Sequence, residues 1–139
     1  AKKLSPCPKG CSCVAGRGEC RSEMSCQRLS DFPAAEDYPP DLDCLFLSSP
    51  KLSNLTANAK QAGLRAFPSS LRRLDLSTCG LGELPEDDSL GRLTQLRVLN
   101  LEFNRLQRLP KSALHGLKHL KVLWLTGNHY SPDEREYKK

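Results

Sequence analysis

The stretch "LRRLDLSTCGL", residues 71–81, decides the fold of this protein. It places leucine at its first, fourth, sixth and eleventh positions and cysteine at its ninth. Three further windows follow the same template, and their starts lie 29, 25 and 24 residues apart: "LDCLFLSSPKL" (42–52), then "LRVLNLEFNRL" (96–106) and "LKVLWLTGNHY" (120–130). Self-similarity at this spacing predicts a chain built from stacked repeat units.

A second phrase recurs in register with the template, as "LGELP" (81–85) and "LQRLP" (106–110), and also as "LSDFP" (29–33) and "LRAFP" (64–68). This combination predicts leucine-rich repeats, each a short strand, a turn and a return path. One unit cannot bury its leucines alone, so neighbours stack into a curved α/β solenoid with a parallel sheet on its concave face. The predicted core consists of the ladder leucines: Leu71, Leu74, Leu76, Leu96, Leu99, Leu101, Leu120, Leu123 and Leu125.

The segments that lead from one strand to the next differ in how clearly the sequence predicts their structure. The segment 111–120, "KSALHGLKHL", has the helical spacing that puts three leucines on one face: Leu114, Leu117 and Leu120. The stretch 53–70 is irregular, and its small residues Ala57, Ala59 and Ala62 echo the strand positions. It is either an eroded repeat or an insertion, and the sequence leaves both open.

The ninth template position carries asparagine in the last two windows, Asn104 and Asn128, and cysteine in the second, Cys79. A side-chain amide there can satisfy backbone groups of the turn. A thiol is compact, largely apolar and a weak donor, so it can replace the amide while buried. No His or Asp lies at a spacing that would activate Cys79 as a nucleophile, which predicts a structural role.

Composition points to the outside of the cell. Four of the seven cysteines fall within residues 7–20, and "NLT" makes Asn54 an N-glycosylation acceptor. No run is long enough for a membrane span. The net charge of +5 over 139 residues favours acidic partners mildly and is too small for a nucleic-acid-binding protein. We therefore expect a secreted, extracellular protein with no membrane insertion.

The first forty residues carry a family resemblance. "CPKGCSC" (7–13), two further cysteines and "RLSDFP" (28–33) resemble the N-terminal cysteine-rich cap of extracellular leucine-rich repeat proteins, which include small proteoglycans, surface receptors and variable lymphocyte receptors. A cap is needed because the first repeat would otherwise expose its leucines. We expect a cap over 1–41 and about four repeats over 42–130.

The resemblance implies that Cys7 pairs with Cys13, and that Cys11 pairs with Cys20 or Cys26. The cysteine left over would reach Cys44, which is expected to face outward on the neighbouring strand. Zinc is disfavoured because the cluster lacks a paired C-x2-C spacing and no histidine precedes residue 115.

The last segment, "SPDEREYKK" (131–139), has the signals of a short helix. Ser131 is a good N-cap, Pro132 fits the first helical position, and Glu134 completes a capping box. We expect either a helical cap on the last repeat or the start of a continuation that was cut short.

The third, fifth and seventh positions of each strand window should point to solvent on the concave face. The candidate partner-binding residues are Arg73, Asp75, Ser77, Val98, Asn100, Glu102, Val122, Trp124 and Thr126, preceded by the row Cys44, Phe46 and Ser48. Trp124, the single tryptophan, is predicted to be an interface anchor. The alternative is that residues beyond the fourth repeat cover it as a lid.

Basic residues crowd the third and fourth units: Arg105, Arg108, Lys111, Lys118 and Lys121, with His115 and His119. A solvated convex face explains them better than a polyanion patch, because the charges interleave with leucines, and weak polyanion binding is kept as the alternative. We find no catalytic motif and predict no enzyme activity, metal or cofactor.

The predicted function is noncatalytic recognition of a protein, or of a glycan-bearing partner, through the concave face. Two alternatives are a self-associating structural protein of matrix, mucus or biomineral, and a fragment of a larger cell-surface receptor.

Overall fold

The computed structural model describes residues 2–16 and 18–129, in which six strands form one sheet in chain order. Strands β1 and β2 pair antiparallel, and every later neighbour pairs parallel. The strand bounds are β1 Cys11–Ala15, β2 Ser22–Cys26, β3 Cys44–Leu47, β4 Arg73–Asp75, β5 Val98–Asn100 and β6 Val122–Trp124. Each template window contributes one strand, so the predicted leucine-rich repeat solenoid with a parallel sheet is confirmed.

The register follows the leucine ladder. The fourth-position leucines are aligned as direct partners across the four parallel strands: Leu45, Leu74, Leu99 and Leu123. Because side chains alternate along a strand, this register sends the fourth and sixth positions into the core and the third and fifth to the opposite face. Leu74 and Leu99 are fully buried.

The irregular stretch 53–70 is the return path between β3 and β4. A 3-10 segment, Pro50–Asn54, leads into this stretch and is followed by helix α1, Ala57–Arg65, whose N-cap Thr56 accepts a hydrogen bond from the Ala59 amide. A Cβ at Gly63 would lie only 2.2 Å from a Phe32 ring carbon. Glycine therefore lets α1 pack directly against the cap, and the stretch adds no further strand.

The predicted helix over 111–120 is shorter than its periodicity suggests. Helix α2 covers only Lys111–Leu114, after which the chain continues in tight turns. Gly116 is unfavourable inside a helix, and its α-carbon lies so close to the Gly91 backbone that a Cβ would be 2.1 Å from the Gly91 oxygen. Leu117 is buried as expected, whereas Leu114 is only half-buried.

The predicted core is confirmed for the inner repeats, and the leucines of the last repeat pack against it while only partly buried. Leu120, Leu123 and Leu125 are half-buried, whereas their counterparts in β4 and β5 are fully buried. Each inner strand has neighbours on both sides, but β6 pairs only with β5 in the described part of the chain. Within the described residues, the last ladder leucines therefore have one packing surface fewer than those of the inner repeats.

The cap joins the sheet through the β1–β2 hairpin and is cross-linked by three disulfides: Cys7–Cys13, Cys11–Cys26 and Cys20–Cys44. The last of these connects the cap to the first repeat. Cys44 lies at the third position of its window, on the face away from the ladder leucines, and its bond to Cys20 covers it so that it is 2% exposed.

The helix expected over 131–139, with Ser131, Pro132 and Glu134, lies outside the described residues. A segment with the length and hydropathy needed to cross a bilayer is absent from the helices of residues 2–16 and 18–129.

Candidate functional site on the concave sheet face

The turn after each strand is held by the ninth template position. The Asn104 amide nitrogen donates to the carbonyls of Leu76 and Leu101, at 3.0 Å each. Its oxygen accepts from the amides of Cys79 and Leu81, at 3.1 and 3.0 Å. Asn104 is 3% exposed, so one buried side chain bonds to backbone groups of two consecutive turns, and of these groups the Leu101 carbonyl also accepts from the Asn128 side chain.

Cys79 takes over one half of this arrangement. Its thiol donates to the Leu47 carbonyl at 3.4 Å, the same bond to the preceding repeat that the two asparagines make. A thiol offers little as an acceptor, but the preceding turn needs none: Pro50 has no N–H, and the Leu52 amide donates to Ser49 O. Cysteine therefore suffices at this one position, and Cys79 is a fully buried structural wedge.

The Cys79 thiol should be inert in the folded protein. Burial raises its pKa from 9.0 to about 11. At pH 8 we expect no reaction of native protein with a thiol reagent, and one thiol per chain after unfolding in denaturant without reductant. Because the folded pKa lies above the unfolded value, the buried thiol favours folding below pH 9, and this contribution is lost as the pH rises towards 11.

The control for that measurement is Cys79→Ser, which should show no thiol in either state. Rapid labelling of the native protein, or more than one thiol in the unfolded chain, would contradict this assignment.

The fifth-position side chains of β4 and β5 bind the sheet itself. The Asp75 carboxylate accepts from the Ser77 amide at 2.9 Å, and the Asn100 oxygen accepts from the Glu102 amide at 2.9 Å. The Asn100 nitrogen also donates to Asp75 at 3.2 Å. The expectation that Asn100 faces solvent is wrong, because these bonds leave it 7% exposed. Asp75, Ser77 and Glu102 are half-buried.

Three side chains from different strands meet above this frame. The Arg73 guanidinium carbon lies 5.2 Å from the ring centroid of Phe46 and 5.6 Å from that of Trp124. Trp124 is two strands from Arg73, so its indole extends across β5 to reach the cation. We call Phe46, Arg73 and Trp124 the aromatic–arginine cluster. Both contacts are within cation–π range, which holds the indole in place.

The cluster is accessible, since Trp124 is 41% exposed. Around it, the predicted residues Val98 and Val122 are half-buried and Thr126 is exposed. Strand alternation puts Phe46 in the solvent-facing row, although Phe46 is not among the nine predicted contact residues. A lid formed by residues beyond the fourth repeat would lie outside the described residues.

Two other predicted features lie away from the cluster. Asn54 is exposed at the end of its 3-10 segment, and its glycosylation stays a prediction. Arg108 forms an ion pair with Glu86. The remaining basic residues named for the convex face are exposed: Arg105, Lys111, His115, Lys118 and His119. Lys121 is also exposed, but its prediction for the convex face is wrong, because it lies directly before β6 and lines a groove together with Arg97.

Comparisons with known proteins agree with this fold. A sequence profile described as leucine rich repeat matches residues 69–129. Leucine-rich repeat-containing protein 3B is 35% identical over 117 residues in Danio rerio, covering 82% of this chain and 43% of the relative. The Homo sapiens form is 31% identical over 114 residues, covering 82% and 41%. Nephrocan from Mus musculus is 44% identical over 62 residues, covering 45% of this chain and 12% of the relative.

The protein is a leucine-rich repeat protein with a disulfide-bonded, cysteine-rich N-terminal cap. It spans less than half the length of the relatives it matches.

Proposed function

We propose that this protein is a noncatalytic, extracellular recognition module that binds a protein partner through its concave face. The observation that carries the proposal is the aromatic–arginine cluster, in which an exposed tryptophan is held by an arginine on a rigid sheet. Tryptophan and arginine dominate the binding energy of protein interfaces. The three disulfides support an oxidising, extracellular location.

The surroundings of the cluster suit a protein surface as partner. Val98 and Val122 supply apolar area beside it, and Ser77, Glu102 and Thr126 supply hydrogen-bonding groups at its margin. Interfaces between proteins combine an apolar centre with a polar rim in this way. The bonds from Asp75 and Asn100 to the strands fix the frame, so little ordering is needed on binding.

Trp124→Ala is expected to weaken partner binding by about 2 kcal/mol, which is about thirtyfold in Kd. The loss arises because the indole supplies the largest accessible apolar surface of the cluster. Proteins retained from extracellular fluid by immobilised wild-type chain would be identified, and the affinity of the best-retained one measured with both forms. Trp124 is the single tryptophan, so its fluorescence reports whether the partner covers it.

The matched control is Phe103→Ala, which removes another exposed aromatic side chain, 59% exposed, from the eighth position of its window. It should retain the wild-type affinity. Equal affinity of wild type and Trp124→Ala, with unchanged indole emission on binding, would refute the concave-face proposal.

A further inference from the structure

A second surface lies where the parallel strands begin. There a groove of about 760 Å³ runs across the N-terminal ends of the strands, which form one edge of the sheet. Among the described residues, Glu19 is the one acidic residue that lines it. Its basic lining consists of Arg21, Arg72, Arg73, Arg97 and Lys121. We call this surface the basic edge groove. It lies beside the aromatic–arginine cluster and shares Arg73 with it, and it also includes Lys121, which the sequence predicts for the convex face.

The backbone sets the spacing of this row. Arg72, Arg97 and Lys121 occupy the second position of three successive windows. The Arg72 carbonyl accepts from the Arg97 amide at 2.8 Å, and the Arg97 carbonyl accepts from the Lys121 amide at 2.8 Å. Successive cations are therefore anchored one strand spacing apart, about 4.8 Å. The row is regular because the repeat is regular.

The first window has an acidic residue at its second position, but this residue does not neutralise the positive charge of the groove. Asp43 holds the same position, but its carboxylate accepts from the amides of Arg21 and Ser22, both at 2.9 Å, and the residue is buried. Its charge is thus engaged inside the cap, and the groove keeps its excess of positive charge.

The cations of the groove have no carboxylate partner within residues 2–16 and 18–129, where the ion pairs involve Arg65 and Arg108 instead. Like charges held one strand apart repel each other. An anionic ligand would relieve that repulsion.

We propose that the basic edge groove binds a linear sulfated polysaccharide. A row of guanidinium groups at fixed intervals matches a chain that repeats its anionic groups, and arginine pairs with tetrahedral oxyanions through two parallel N–H bonds. An acidic peptide fits less well. The Arg72 and Arg97 carbonyls each already accept two bonds from the next strand, and the apolar lining is limited in the described residues to Val98, Val122 and the Cys20–Cys44 disulfide.

The test is a titration of the whole chain with a size-defined heparin oligosaccharide at several salt concentrations. The variant Arg72→Gln/Arg97→Gln/Lys121→Gln should lower the slope of log affinity against log salt by about three, one for each cation removed. The matched control, Arg105→Gln/Lys111→Gln/Lys118→Gln, has the same net charge and should keep the wild-type slope. Trp124→Ala should also keep it, which separates this proposal from the concave-face function.

Several results would overturn the proposal: no binding by wild type, an equal loss in both triple variants, or tighter binding of a desulfated oligosaccharide or of polyglutamate. If the triple variant does not fold, Arg97→Gln and Lys121→Gln are measured singly. Each should lower the slope by about one, and two unchanged slopes would equally refute the site.

Discussion

Replacing Cys20 and Cys44 together with alanine is expected to lower the free energy of unfolding by about 3.5 kcal/mol. The bond closes a loop of 24 residues between the cap and the first repeat, so removing it restores that freedom to the unfolded chain. It also releases the cap from the edge of the sheet. Denaturation followed by circular dichroism, with the other two disulfides kept oxidised, gives the value.

The control is the pair Cys7→Ala/Cys13→Ala, which opens a loop of only 6 residues within the cap. Its expected cost is smaller, about 2 kcal/mol, because the entropy that a disulfide removes from the unfolded chain grows with loop length. If removing the Cys20–Cys44 bond cost no more than removing this short one, the view that it secures the cap to the solenoid would fail.

Asn104→Ala is expected to lower the free energy of unfolding by about 3 kcal/mol, since each buried backbone group left without a partner costs about 1–3 kcal/mol and some of them recover water. The groups that lose their partner are the amides of Cys79 and Leu81 and the carbonyl of Leu76, whereas the Leu101 carbonyl still accepts from the Asn128 side chain. Thermal and denaturant unfolding of the two proteins measures the difference. Asn128→Ala should cost less, because Asn128 is only half-buried.

A reciprocal pair of substitutions tests why the ninth template position accepts cysteine in one repeat. Asn104→Cys should lower the free energy of unfolding by about 2 kcal/mol, because a thiol leaves the Cys79 and Leu81 amides without an acceptor. Cys79→Asn should bring no gain, because Pro50 has no N–H to donate and the Leu52 amide is already bonded. A stabilising Cys79→Asn would show that the preceding turn does need an acceptor.

The leucine template predicts most of the fold for a physical reason. Leu74 and Leu99 recur at positions that only stacking can bury, so their spacing fixes both the strand and its face. The pairing of Cys20 with Cys44 is different. The family resemblance leaves two partners open for Cys11, and the parallel register of β2 against β3 is what brings Cys44 beside the cap.

The candidate site was only partly predictable. The alternation of side chains places Asn100 on the solvent-facing side, but its burial comes from hydrogen bonds to Asp75 and to the Glu102 amide on that same face. The contact of Trp124 with Arg73 spans two strands, which no single window describes. By contrast, the basic second position of three windows is visible in the sequence, and only its convergence on one groove required the structure.

Because the leucines of the last repeat are only half-buried, the two ends of the described solenoid differ in how firmly they are held. Its first turn is sealed by covalent bonds, whereas β6 is held within the described residues by one neighbouring strand and a thinner apolar layer. Among the described strands, β6, which presents Trp124, therefore has the least packing to lose on local opening. A partner that contacts both the Trp124 indole and Phe46 would link β6 to the disulfide-bonded first repeat. Binding of that partner would then make local opening of β6 less frequent.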